Sequence, residues 1–63
     1  MSIKEYYIVV DAEDREVNFF DRTFPNSRSL AILSARQVEG SVVLHRKVDS
    51  VTGNKQDSII WPE

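Results

Sequence analysis

Read for the alternation of apolar and polar positions, the chain falls into five short segments separated by turn-forming residues. Lys4 to Asp11 runs from polar residues into Tyr6, Tyr7, Ile8, Val9 and Val10. This aromatic and β-branched run is too short for a helix and apolar at both parities, which predicts a central strand with cover on both faces. Ala12 to Arg15 reads as a turn, and Glu16 to Asp21, with Val17, Phe19 and Phe20, reads as a second strand completing a hairpin.

Pro25 ends that strand, and Asn26 or Ser27 is expected to accept a hydrogen bond from a free amide at a helix start. Arg28 to Glu39 lacks Pro and Gly, is rich in Leu, Ala, Arg and Gln, and predicts the one helix, closed by Gly40. At 100° per residue, Ala31, Ser34, Ala35 and Val38 form a stripe of mostly small residues suited to close approach to a sheet; Leu30, Ile32 and Leu33 cannot all join it. Ser41 to Asp49 alternates Val42, Leu44, Arg46 and Val48 with Ser41, Val43, His45 and Lys47, the period-2 pattern of a third strand. After turn residues Thr52, Gly53 and Asn54, Asp57 to Trp61 predicts a fourth strand ended by Pro62.

The expected fold is therefore α+β, a single domain over residues 1–63 in the order β-β-α-β-β. If each connection reverses the chain, the third strand pairs with the first and the antiparallel sheet takes the order 2-1-3-4, with the helix packed on one face. One helix leaves the other face uncovered. Adjacent strand residues point to opposite sides, so one member of each pair Tyr6 or Tyr7, Phe19 or Phe20, and Ile59 or Ile60 must lie there.

Composition sets limits on function. With 63 residues the chain holds one core and little room for a cleft, since a domain of that length buries only about 60% of its unfolded surface. Its 41% hydrophobic and 29% charged residues are those of a folding chain, not of a disordered tail. The absence of cysteine excludes a disulfide framework, a thiolate metal site and a thiol nucleophile. The absence of a long apolar run or a signal-type amino terminus points to a cytoplasmic protein with no membrane partner.

The net charge of −2 hides a sequence dipole: Met1 to Asp21 carries −4, Arg22 to Gln56 carries +4, and Asp57 with Glu63 returns the balance to −2. His45 is the sole histidine and has no second His or Cys with which to form a metal set, so it reads as a surface residue. Asp11, Glu13, Asp14 and Glu16 lack the glycine of a calcium loop and read as a solvated hairpin tip or an attractant for a basic partner. No serine sits in a nucleophile elbow, and Gly53-Asn54-Lys55 is no phosphate loop. The chain is expected to be no enzyme and to need no cofactor.

More apolar residues are present than one small core needs, which points to a protein partner. Tyr7, Phe20, Leu33 and Trp61 are the expected hydrophobic contacts, with Asp11, Glu13 and Asp14 as electrostatic ones. Two alternatives stand beside this reading. Arg36, Arg46, Lys47 and Lys55 could form a nucleic-acid patch, against which stands a pI of about 5.3; and the surplus apolar face could join two copies in a homodimer.

The strand hairpin, the helix approached through Thr23-Phe24-Pro25-Asn26 and the returning Val42-Val43-Leu44 are similar in size and element order to small accessory proteins of phages and mobile elements, including some anti-CRISPR proteins. The resemblance implies an inhibitor or modulator of a larger protein or nucleoprotein complex and transfers no functional residue.

Overall fold

In the computed structural model, which describes residues 2–62, strand β1 (Ile3–Val10) and strand β2 (Glu16–Asp21) form the hairpin, followed by helix α1 (Ser27–Arg36), strand β3 (Val42–Asp49) and strand β4 (Lys55–Trp61). All pairings are antiparallel and the sheet order is β2-β1-β3-β4, as the reversal of direction at each connection requires. β1 is central, and Ile8, Val9 and Val10 are all buried, which accounts for its apolar character at both parities.

The helix lies on the sheet through its small-residue stripe. Ala31 and Ala35 are buried against Val9 and Val43, and Tyr7, Phe20, Ile32, Ile60 and Trp61 pack around them. Alanine at these two positions lets the helix approach the strands; Leu30 and Leu33 point outward and remain exposed.

Both ends of the helix differ from the sequence expectation. At its start, Asn26 adopts a left-handed conformation, φ 61°, and its side chain caps nothing; its backbone carbonyl accepts from Leu30 N–H instead. At its end, the helix stops at Arg36 and does not reach Glu39. Gln37 and Val38 donate to Ser34 and Ala35 in tighter i to i−3 bonds, and the buried Ser41 hydroxyl donates to the carbonyls of Ala35 (2.6 Å) and Val38 (2.7 Å). The single hydroxyl proton is thus shared between two carbonyls that also accept backbone N–H groups, Ala35 from Val38 and Val38 from Ser41. Gly40 does take a positive φ, 78°, but in the following turn, where a Cβ would meet the Ala12 side chain at 3.1 Å.

Two irregularities shape the edges. One residue of β2 is bulged out opposite Val9 and Val10, and one of β4 opposite Val43 and Leu44. In β4 the shift brings both Ile60 and Trp61 against the core. β4 begins at Lys55, two residues before the sequence pattern suggested, because Lys55 and Gln56 extend the ladder opposite Val48 and Lys47.

Candidate functional site

The ladder registers assign every strand residue to a face. Val9 and Val43 pack on the helix, so Tyr7, Phe20, His45 and Trp61, which share their parity, lie on the covered side. Their neighbours Lys4, Tyr6, Ile8 and Val10 of β1, Glu16, Phe19 and Asp21 of β2, Val42, Leu44, Arg46 and Val48 of β3, and Lys55, Asp57 and Ile59 of β4 lie on the other side. Among the described residues no second layer packs on that side; α1 meets the sheet only from across it.

This open face is organised in rows that cross all four strands. Phe19, Ile8, Leu44 and Ile59 are in register in one apolar row, with Phe19 57% and Ile59 65% exposed at its ends and Ile8 buried within it. Beside it runs the row Asp21, Tyr6, Arg46 and Asp57. The rings of Tyr6 and Phe19 meet at 4.8 Å between centroids and tie the two rows together.

Arg46 governs the electrostatics of the face. Its guanidinium binds the Asp57 carboxylate at two points, Nε to Oδ1 at 2.8 Å and Nη2 to Oδ2 at 3.0 Å, and Nη1 lies 3.4 Å from Glu16 Oε1. Glu16 is on β2, so the side chain leaves β3 and crosses β1 to reach it. That path lies over Ile8, flanked by Phe19 and Leu44, and Ile8 is only 1% exposed on a face that no helix covers. The hydrogen bond to Asp57 raises the Arg46 pKa and lowers that of Asp57, so both stay charged and mutually satisfied. The central cation is thus held by its own sheet.

The expected contact residues are dispersed. Tyr7, Phe20 and Trp61 are half-buried on the covered side, where they wall the core, and Leu33 is exposed on the outer face of α1, 52% accessible. At the hairpin tip, Asp11 accepts from the backbone N–H groups of Glu13 and Arg15, both at 2.9 Å, and Arg15 pairs with the Glu13 carboxylate, while Asp14 takes a left-handed conformation, φ 64°. Asp11 therefore builds the turn, and Arg15 is the cation that both Asp11 and Glu13 pair with.

The basic set is not assembled into one patch. Arg46 and Lys55 are on the open face, Lys47 is on the opposite one, and Arg36 ends the helix. The charge dipole along the chain is likewise folded onto itself, because β3, from the basic part, lies beside β1, from the acidic part.

Beyond the end of the helix, on the covered side, the Glu5 carboxylate accepts from Arg22 and lies 3.0 Å from His45 Nε2, and the His45 ring stacks on Tyr7 with centroids 5.2 Å apart. The hydrogen bond from Arg22 is the main cause that holds Glu5 below the ordinary carboxylate range. A depression of about 430 Å³ lined by Ile3, Lys4, Glu5, Asp21, Arg22 and Thr23 adjoins this network. Its two carboxylates are already engaged, Glu5 by Arg22 and Asp21 by the backbone and hydroxyl of Thr23 at 2.9 Å each.

Sequence reasoning missed the arrangement around Arg46. Its signal was present as acids at Glu16 and Asp57 and a lone cation in the apolar alternation of β3, but only the register brings the three together. No helix among the described residues is long and apolar enough to cross a membrane, and they contain no cluster of three potential metal ligands. Comparison with known protein families, with curated proteins and with solved structures gives no match.

Proposed function

We propose that this chain is a non-enzymatic protein-binding module whose binding surface is the open face of its sheet. A protein of 63 residues exerts such a role by occupying surface, and the activity that fits is that of an inhibitor or modulator of a larger protein or nucleoprotein complex. The observation that carries the reading is the exposed apolar surface of Phe19 and Ile59, in register with Leu44 between them, beside a cation already neutralised. A charge buried at an interface without a partner costs several kcal/mol, roughly 3–5 when one member of a pair is missing. Arg46 brings Asp57 and Glu16 with it, so an incoming apolar surface need supply no carboxylate.

Site-specific photocrosslinking in the producing cells tests this, with a benzophenone side chain at Phe19 or Ile59 compared with one at Asp14 on the hairpin tip. Discrete protein adducts from the two sheet positions and none from the tip are expected. Adducts from Asp14 alone, or from none of the three, overturn the reading.

A further inference from the structure

We infer that β4 is a docking edge whose occupant is an extended segment of a partner protein, added to the sheet as a fifth strand antiparallel to β4. This edge is a different surface from the open face, and its occupancy does not depend on what covers that face. Three observations lead to it.

The first is the direction of the main-chain groups. Asp49 N–H donates to the Asn54 carbonyl at 2.9 Å, and the Asp49 carbonyl accepts from Gly53 N–H at 2.7 Å, so Asp49 turns its main chain toward β4. Residues along an antiparallel strand alternate in this respect. Lys47 and His45 therefore also face β4 and bond to their partners Gln56 and Ser58, while Lys55, Asp57 and Ile59 turn N–H and C=O away from the sheet. The alternation holds on the other side of β3, where Ser50 N–H donates to the Ser2 carbonyl at 2.9 Å. The outward groups of Lys55, Asp57 and Ile59 meet no hydrogen-bond partner among the described residues.

The second is the contrast with the opposite edge. Arg22 N–H donates to the Glu5 carbonyl at 3.0 Å, and by the same alternation Phe19 and Asp21 of β2 turn outward. There the chain caps its own edge: Phe19 N–H donates to Asn18 Oδ1 at 3.0 Å, and the Asp21 carbonyl accepts from Phe24 N–H at 3.0 Å. The bulge opposite Val9 and Val10 interrupts the rest of that edge. On β4 the bulge falls only after Ile59, so Lys55 to Ile59 stays regular and uncapped. A row of alternating donors and acceptors is matched by another extended backbone.

The third is side-chain chemistry, which disfavours β4 of a second copy and describes the partner. Outward residues must pair with outward residues. A two-fold pair of β4 strands centred on Asp57 sets the two Asp57 residues opposite each other, and like charges in that position are destabilising. Centred on Ser58, the pair sets Asp57 on Ile59 and Lys55 on Trp61; centred on Gln56, it matches Lys55 with Asp57 but leaves Ile59 opposite Gly53, a turn residue with φ 77°. A foreign strand is free of these constraints. An apolar residue opposite Ile59, which is largely exposed, and an acidic one opposite Lys55, which forms no ion pair among the described residues, complement the edge. Asp57 is held by Arg46 and calls for no cation. In the antiparallel direction the partner therefore reads as an apolar residue followed four positions later by an acidic one.

Selection of random peptides of about ten residues, displayed on phage, against the intact chain tests the inference, followed by amide NMR spectra of the chain with the enriched peptides. These are expected to carry an apolar residue followed four positions later by Asp or Glu, and to shift the amide signals of Lys55, Asp57 and Ile59 but not those of Phe19 and Asp21. Methylating the peptide nitrogens that face the edge should weaken binding by about tenfold or more, while methylating the alternate nitrogens leaves it unchanged. Lys55→Glu should weaken binding several-fold, and Ile59→Pro, which deletes an outward N–H and no ladder bond, should abolish it. Circular dichroism verifies that the proline variant folds, and the pair of methylated peptides decides the matter if it does not. A selection that enriches no peptide, binding that is insensitive to methylation, or shifts confined to other surfaces overturns the inference. Peptides that shift only Phe19 and Arg46 and tolerate methylation leave the open-face reading standing and sink the edge; photocrosslinking that fails at Phe19 while the edge arms succeed does the reverse.

Discussion

Arg46 on β3 and Asp57 on β4 lie directly opposite each other on the open face and form a two-point ion pair at 2.8 and 3.0 Å, from which the guanidinium continues across β1 to Glu16 on β2. One side chain thus links three strands and shields the centre of an otherwise uncovered sheet. Replacing it with Met removes the charge, leaves both carboxylates without their partner and keeps much of the stem over Ile8. Urea unfolding of Arg46→Met should show a loss of about 1–2 kcal/mol, chiefly from hydrogen bonds to charged groups. No loss would mean that the stem alone protects the sheet.

The same pair gives a pH dependence. The Arg46 hydrogen bond lowers the folded-state pKa of Asp57 below the 3.8 of an unperturbed aspartate. A depressed folded pKa contributes stability that is present above the unfolded value and is lost as pH falls through the folded one. Glu5, held by Arg22 below its ordinary 4.5, acts in the same direction. Stability should therefore be level near neutrality and decline as pH is lowered from about 5 through the range below 3.8. Asp57→Asn should flatten the acid limb by about 0.5–1 kcal/mol, a modest figure because the carboxylate is partly solvated. Thermal unfolding at a series of pH values measures both.

Phe19 and Phe20 are adjacent in sequence and separate in role. Phe20 packs against the core formed by Val9, Val43, Ala31 and Ala35, whereas Phe19 is exposed on the far side and touches Tyr6. Phe20→Ala should lower stability by about 2 kcal/mol, less than the full cost for a buried ring because it is only half-buried. Phe19→Ala should cost no more than about 1 kcal/mol, the order of one aromatic pair. Chemical denaturation of the two variants side by side gives the comparison.

The helix-to-sheet distance depends on Ala31 and Ala35, both essentially inaccessible. Enlarging either to Leu drives the helix off Val9 and Val43 and should destabilise the fold by about 1–3 kcal/mol, read as a lower urea midpoint. Leu30→Ala on the outer face should move that midpoint little.

Ser41 tests how the helix ends. Its buried hydroxyl serves the Ala35 and Val38 carbonyls, and Ser41→Ala removes that donor without adding bulk. A loss of about 1–2 kcal/mol is expected, with amide exchange quickening first at Gln37 and Val38.

The sequence by itself determined the elements, their order and the antiparallel topology. Each of these depends on local periodicity and on short connections that reverse direction: the mixed-parity run at Tyr6 to Val10 identified the central strand, and the alanine stripe identified the face of the helix that lies on the sheet. It also required the pairs Tyr6 and Tyr7, Phe19 and Phe20, and Ile59 and Ile60 to divide between two faces. Which member went where was decided only in three dimensions. Period-2 alternation fixes relative parity along a strand and says nothing about which parity meets the helix; that choice depends on how the helix returns across the sheet, and in β4 on a bulge that draws Ile60 and Trp61 toward the same core. The helix settled on the Val43 side of β3 and left the more apolar row of Val42, Leu44 and Val48 outside. Glu16, Arg46 and Asp57, far apart in the chain, became neighbours for the same reason: an ion pair across strands depends on register, and register is a property of the assembled sheet.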